Sequence, residues 1–166
     1  MTDPTLIRVD FRLLHGMVAT NWVRSLNIKN IYIIDDNVKN DQFLKEVYEL
    51  AKPEGTEVYF LGLDEAVKQW NGEGYEGPSG PPALLLIKNI YNAKKLYDAG
   101  MKFHRILIGN SEVNRQKKCI NNVYYFDEKD AGILNDLESG GVEITLQELV
   151  MSKSTTWEKI YRKYFE

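Results

Sequence analysis

The run Ala83-Leu84-Leu85-Leu86-Ile87 contains no polar side chain. Successive side chains of a strand point to opposite faces, so this strand is apolar on both and belongs inside a sheet covered above and below. The rest of the chain supplies such a sheet. Leu6-Ile7-Arg8-Val9, Asn30 to Asp36, Glu57 to Leu61, Arg105 to Gly109, Val123 to Phe126 and Val142 to Leu146 are short runs rich in β-branched or aromatic residues. Helical periodicity lies between them. Val18, Trp22 and Leu26 are four apart, with Ala19 and Val23 beside them. Val38 to Leu50 reads as a helix with Phe43, Val47 and Leu50 on one side, stopped by Pro53 and Gly55. Asp64 is placed to cap a short helix Glu65 to Trp70, and Asn89 or Asn92 to cap one that ends at Gly100. Asp130 to Leu137 is helical, and a C-terminal helix of about 153–165 has Trp157, Ile160, Tyr161, Tyr164 and Phe165 on a face expected to pack. This alternation predicts an α/β fold: a single domain over residues 1–166, with a mostly parallel central sheet of about seven strands and helices on both faces.

Composition narrows the function. A net charge of −3 argues against general nucleic-acid binding, which needs a basic stripe. No apolar run approaches the ~20 residues that span a bilayer. Met1-Thr2-Asp3-Pro4 has neither the basic segment nor the apolar core of a secretory signal. Cys119 is the only cysteine, which excludes an internal disulfide and a multi-cysteine metal site. The cytoplasm is the expected compartment. Residues 72–82 carry four glycines and three prolines and predict a long surface loop.

The chemistry concentrates at Asp10-Phe11-Arg12-Leu13-Leu14-His15-Gly16. His15 falls between a strand and a helix, at the carboxyl end of the strand, where anions collect in α/β sheets. Asp10 or a backbone carbonyl can take a hydrogen bond from one ring nitrogen and leave the other free to attack. Arg12 offers a bidentate fork to phosphate oxygens, and Gly16 keeps the approach uncrowded. Lys88, at the end of the fourth strand, has two equally open readings, a phosphate-attracting side chain in the same crevice or a solvated lysine. His104 reads as an ordinary surface histidine. Asp35 and Asp36 are expected to cap the next helix and line the cleft rim.

The segment Arg8 to Val18, followed by Trp22, resembles the active-site signature of the enzyme IIB components of the mannose/fructose/sorbose family. That family belongs to the bacterial phosphoenolpyruvate-dependent sugar phosphotransferase system. Ile33-Ile34-Asp35-Asp36-Asn37-Val38 with Asp41, Ala51-Lys52-Pro53-Glu54-Gly55, Ile108-Gly109-Asn110 and Gly140 to Ile144 extend the similarity over about residues 5–150. The resemblance implies a phosphotransferase in which His15 takes a phosphoryl group from a phosphohistidine of enzyme IIA. His15 would then pass it to a sugar held by the membrane components IIC and IID. It implies that Arg12 holds the phosphoryl oxygens, that Asp10 orients the loop, and that Gly109 and Asn110 belong to a loop bordering the phosphate site, to which Gly16 and Lys88 are assigned from their own positions. No cofactor and no metal are called for. The partners would be separate chains, the subunit cytoplasmic and recruited peripherally to the membrane, with room for a homodimer.

The chain departs from that pattern at Phe11 and Met17, in Gly109-Asn110-Ser111-Glu112 and in Met151 to Ser154. Glu112 would repel phosphate unless it turns outward. These departures keep open a degenerate regulatory or binding module of the same fold that no longer phosphorylates sugar. A receiver-like use of Asp35 or Asp36 is a more distant alternative.

Overall fold

The computed structural model describes residues 2–77 and 79–166; Met1 and Pro78 lie outside the described residues. Six strands run parallel: β1 (Leu6–Val9), β2 (Asn30–Ile34), β3 (Glu57–Leu61), β4 (Ala83–Ile87), β5 (Arg105–Ile108) and β8 (Glu143–Leu146). With the antiparallel edge strand β9 (Thr155–Thr156) they form one sheet in the order β3-β2-β4-β1-β5-β8-β9. All five residues of β4 are buried, as expected for an all-apolar strand between β2 and β1. The sheet's alternation feeds two cores. Ile31, Ile33, Leu84 and Leu86 meet Val18, Ala19 and Val23 of the helical run 16–25 on one face. Ile7, Val9, Ile34, Leu85 and Ile87 meet the other helices on the opposite face.

Those other helices are α3 (Leu63–Asn71), α4 (Ile90–Asp98), α5 (Glu128–Ser139) and α6 (Trp157–Tyr164). Their caps are local: Asn89 accepts from the Asn92 amide, Asp127 from Asp130 and Thr156 from Lys159. Trp157 and Ile160 anchor α6 in the core, so its aromatic face packs.

Several sequence expectations need correction. Residues 123–126 do not join the main sheet. Tyr124–Phe126 forms β7, paired only with β6 (Lys118–Ile120) in a separate ribbon. Asn121 and Asn122, both at positive φ, turn the chain between them, a conformation asparagine tolerates. The seventh strand is instead Thr155–Thr156, within the stretch expected to be helical. The helix over 38–50 is two helices, α1 (Asp36–Lys39) and α2 (Gln42–Ala51), because Asp41 accepts from the Leu44 amide and starts a second helix. Its Phe43, Val47 and Leu50 face solvent, while Leu44, Tyr48 and Ala51 face the core. Helix α3 starts earlier than expected. Its N-cap is Gly62, and Asp64 lies in the first turn. There Asp36 accepts from the Leu63 amide and Glu65 from that of Gly62.

The Gly/Pro loop enters β4 at its amino end, the edge of the parallel sheet opposite His15. Tyr75 fixes it there, buried and donating to the Ala66 carbonyl at 2.8 Å. Among the described residues, no helix is long and apolar enough to cross a membrane.

Candidate functional site

Strand alternation sends Ile7 and Val9 to one core and Arg8 to the other, level with Leu86 of β4 and Leu107 of β5. An arginine there is fully buried and needs partners. Asp10, two residues on and on the same side of the strand, supplies one: Arg8 Nε donates to Asp10 Oδ2 at 3.3 Å. The fork of the guanidinium donates to the carbonyls of Gln147 and Glu148, each at 3.2 Å. The plane lies 5.2 Å from the Trp22 ring, whose Nε1 donates to the same Glu148 carbonyl. Arg8 therefore ties the centre of the sheet to the chain beyond β8.

Asp10 is also fully buried. Its Oδ1 accepts from the Arg12 amide at 2.9 Å, and Oδ2 takes His15 Nε2 at 2.8 Å as well as Arg8. Burial alone would raise this carboxyl's pKa. The His15 hydrogen bond, the charges of His15 and Arg8 and the Arg12 amide together hold it below the ordinary value. The loop is tight. Leu13 has φ of 59°, a left-handed conformation costing roughly 1–2 kcal/mol for a non-glycine residue. Its buried side chain and its amide bond to the Asp10 carbonyl hold it there.

His15 follows as the residue before the helical run 16–25, its carbonyl accepting from the Ala19 amide. The middle of that run is π-helical over Val18–Val23, with Asn21 accepting from the Val150 amide at 2.7 Å. The imidazole is buried. With Nε2 held by Asp10, Nδ1 is the one buried side-chain polar atom lacking a hydrogen-bond partner among the described residues. Arg12 is exposed, and its guanidinium makes no hydrogen bond or ion pair among the described residues, so it is free to swing onto an anion. A Cβ on Gly16 would meet nothing within 4 Å, so the approach over that residue is open.

The remaining candidates form a neighbouring group. Asn110 Oδ1 accepts from the Phe11 amide at 3.0 Å. Phe11, Lys88, Asn110 and Glu112 line a cavity of about 330 Å³ at the carboxyl ends of β1, β4 and β5, and His15 does not line it. Ser111 Oγ accepts from the Tyr125 amide at 2.6 Å, and Glu112 is exposed. Gly109 lies against Arg8. A Cβ there would overlap the guanidinium, which three acceptors hold in place. Gly109→Ala is therefore expected to cost about 1–3 kcal/mol in urea denaturation through overpacking. Gly16→Ala, with open space around it, should stay within about 0.5 kcal/mol of wild type. Equal stability of the two variants would show that Arg8 can retreat.

Asp35 caps α1 through the Val38 amide, and His104 pairs with Asp3 at the protein surface. No cluster of His, Cys, Asp and Glu fit to hold a metal occurs among the described residues. The residue missed by the sequence reading is Arg8. The available signal was an arginine between apolar neighbours in a central strand, with a carboxylate at i+2.

The description "PTS system sorbose subfamily IIB component" belongs to the family model that matches residues 4–165. The chain is 27% identical over 144 residues to the PTS system mannose-specific EIIAB component of Escherichia coli strain K12. That alignment covers 87% of this chain and 44% of the relative, so the chain spans less than half of the relative's length. Identity is also 27% over 143 residues to the sorbose-specific EIIB component of Klebsiella pneumoniae, covering 86% of this chain and 85% of that one. The crystal structure of manxB from Thermoanaerobacter tengcongensis superposes with a TM-score of 0.88 at 30% identity, over 100% of this chain and 99% of that chain.

Proposed function

This chain belongs to the sorbose-subfamily IIB components of the phosphotransferase system, and from that membership we propose that it is a phosphocarrier in sugar uptake, phosphorylated on His15. The observation that carries the reading is the His15 ring itself: Nε2 on Asp10, Nδ1 buried and unpartnered. A lone pair at Nδ1 is what an incoming phosphoryl group requires. Nε2 keeps its proton and donates to Asp10, which fixes the tautomer and the ring orientation.

In the first step Nδ1 attacks phosphorus of the phosphohistidine on an enzyme IIA protein. The Nδ1–P bond forms as the donor's N–P bond breaks, and the donor imidazole leaves with the bonding pair. The Asp10 carboxylate balances positive charge on the phosphorylated ring. Arg12 neutralises the phosphoryl oxygens, and the open start of the helix at Gly16 adds amide dipoles. In the second step a sugar hydroxyl held by the membrane components attacks phosphorus. The N–P bond returns its pair to Nδ1, and the hydroxyl proton leaves to the acceptor site. Catalysis of this kind is positioning plus charge stabilisation, which a buried carboxylate, one arginine and a tight loop provide. The subunit works on the cytoplasmic side of the membrane, recruited peripherally by its acceptor. The relatives are named for different sugars, mannose and sorbose, and no sugar is assigned to this chain.

The test is intact mass after incubation with phosphoenolpyruvate, enzyme I, the histidine phosphocarrier protein and a IIA protein. Wild type is expected to gain an acid-labile phosphate and His15→Ala none. A verified active relay that leaves the wild type unmodified would overturn the reading.

A further inference from the structure

The cavity at the carboxyl ends of β4, β1 and β5 carries chemistry that the His15 loop does not use. Lys88 and Asn89 follow β4, Phe11 follows β1, and Asn110 and Glu112 follow β5. These strands are neighbours in that order, and adjacent strands lie ~4.8 Å apart, so the lysine and the glutamate leave strands roughly 10 Å from each other. The far wall is already built. Asp130 is 1% exposed and accepts from Tyr91 Oη at 2.5 Å, Lys117 Nζ at 2.7 Å and the Asp127 amide at 2.9 Å. Ser111 Oγ, accepting from the Tyr125 amide at 2.6 Å, ties the chain after β5 to the β6–β7 ribbon.

Four charged residues line the cavity, and two of them cancel. The Lys117 ammonium is held by Asp130 and lies 3.7 Å from Asp127 as well. Lys88 and Glu112 are exposed, and neither makes an ion pair or side-chain hydrogen bond among the described residues. Asn89 uses Oδ1 to cap α4 and Asn110 uses Oδ1 on the Phe11 amide, so each keeps its Nδ2 donors. The lining thus offers one uncommitted cation, two neutral donors and one carboxylate acceptor. Beside them stand the rings of Phe11 and Tyr125 and the buried side chains of Val9, Ile108 and Phe126.

We propose that this cavity binds the monophosphate ester of a monosaccharide, with phosphate on Lys88 and the two amides and ring hydroxyls on Glu112. The volume of about 330 Å³ falls at the small end of the ~300–1,000 Å³ found for small-molecule sites. One uncommitted cation suits a single phosphate group, not the chain of a nucleoside diphosphate. A wholly apolar ligand would strip water from Lys88 and Glu112 without replacing its hydrogen bonds. Inorganic phosphate would leave the rings and Glu112 unused. A sugar ring meets both needs: its hydroxyls reach the carboxylate, and its C–H groups rest on aromatic faces, whose π-systems are negative. The choice of a sugar ester among hydroxylated anions rests on the phosphocarrier reading, in which such an ester is the product.

The experiment is calorimetric titration of the full chain with the monophosphates of glucose, mannose, fructose and N-acetylglucosamine, each beside its free sugar and inorganic phosphate. At least one ester is expected to bind in the millimolar range or tighter, with its free sugar and inorganic phosphate both weaker. Lys88→Gln should weaken that ester by about tenfold or more, the loss of one charge-assisted hydrogen bond, and leave the free sugar unchanged. In heteronuclear NMR spectra the amides of Asn110, Ser111 and Tyr125 are expected to shift with the ester. Shifts confined to residues 12–16 would place the ester on the phosphoryl loop and overturn the cavity site. Inorganic phosphate binding as tightly as every ester overturns it too. So does the absence of ester binding in a wild type that accepts phosphate on His15, which leaves the phosphocarrier reading intact. A wild type that accepts no phosphate from an active relay overturns that reading, and with it the choice of ester.

Discussion

Asp10→Ala is expected to lower stability by about 3–5 kcal/mol at neutral pH, the usual effect of removing one partner from a buried ion pair. The substitution leaves Arg8 fully buried, with two carbonyls but no counter-charge. It also frees Nε2 of His15 and the Arg12 amide, so the loop loses the group that holds both. Phosphoryl acceptance should fall with stability. The pH dependence carries a second signature. The Asp10 carboxyl titrates below its ordinary value of 3.8 in the folded chain. The unfolded chain therefore takes up this proton first as the solution is acidified. The stabilisation is complete above that ordinary value and is lost as pH falls through the lower, folded one. The gap between wild type and Asp10→Ala in urea midpoint should thus narrow in strong acid. A gap that stays constant from neutral pH down to the acid range would mean that Asp10 is not the ionised hub of the site.

Arg12→Ala is expected to reduce the rate of phosphoryl transfer by about a hundredfold or more, the effect of removing one preorganised donor from a developing anion. Stability should change by no more than about 0.5 kcal/mol, because the side chain is exposed and its backbone amide still reaches Asp10. The contrast with Asp10→Ala is diagnostic, since one variant loses rate alone and the other loses rate and stability together. Arg12→Lys should recover only part of the rate, because an ammonium cannot present two parallel donors to one phosphoryl group. A fully active Arg12→Ala protein would remove the residue from the mechanism.

Much of the architecture was legible along the chain. The strands β1 to β5 and β8, the buried run at β4 and the cap at Asn89 all rest on patterns within a few residues. The loop from Asp10 to Gly16 was legible for the same reason: its hydrogen bonds span two to five positions, from the Arg12 amide and from His15 to Asp10. The errors fell where one local pattern permits two answers. Phe43, Val47 and Leu50 make as good a helical stripe as Leu44, Tyr48 and Ala51, and only the position of the sheet shows which is buried. Tyr124–Phe126 has strand composition, and only its neighbours decide that it pairs with β6.

The sequence by itself determined the fold class, the strand-to-helix turn that bears His15 and the carboxylate and arginine beside it, because alternation, capping and turn chemistry act over short spans of chain. Tertiary structure alone decided that Arg8 would be the buried partner of Asp10. Two of its three acceptors, the carbonyls of Gln147 and Glu148, lie 139 and 140 residues away. It also decided that Gly109 must lack a side chain to make room for that guanidinium. It singled out Nδ1 as the imidazole nitrogen left without a partner. Such features depend on which strands become neighbours across the sheet, and that order is set by the packing of the whole chain.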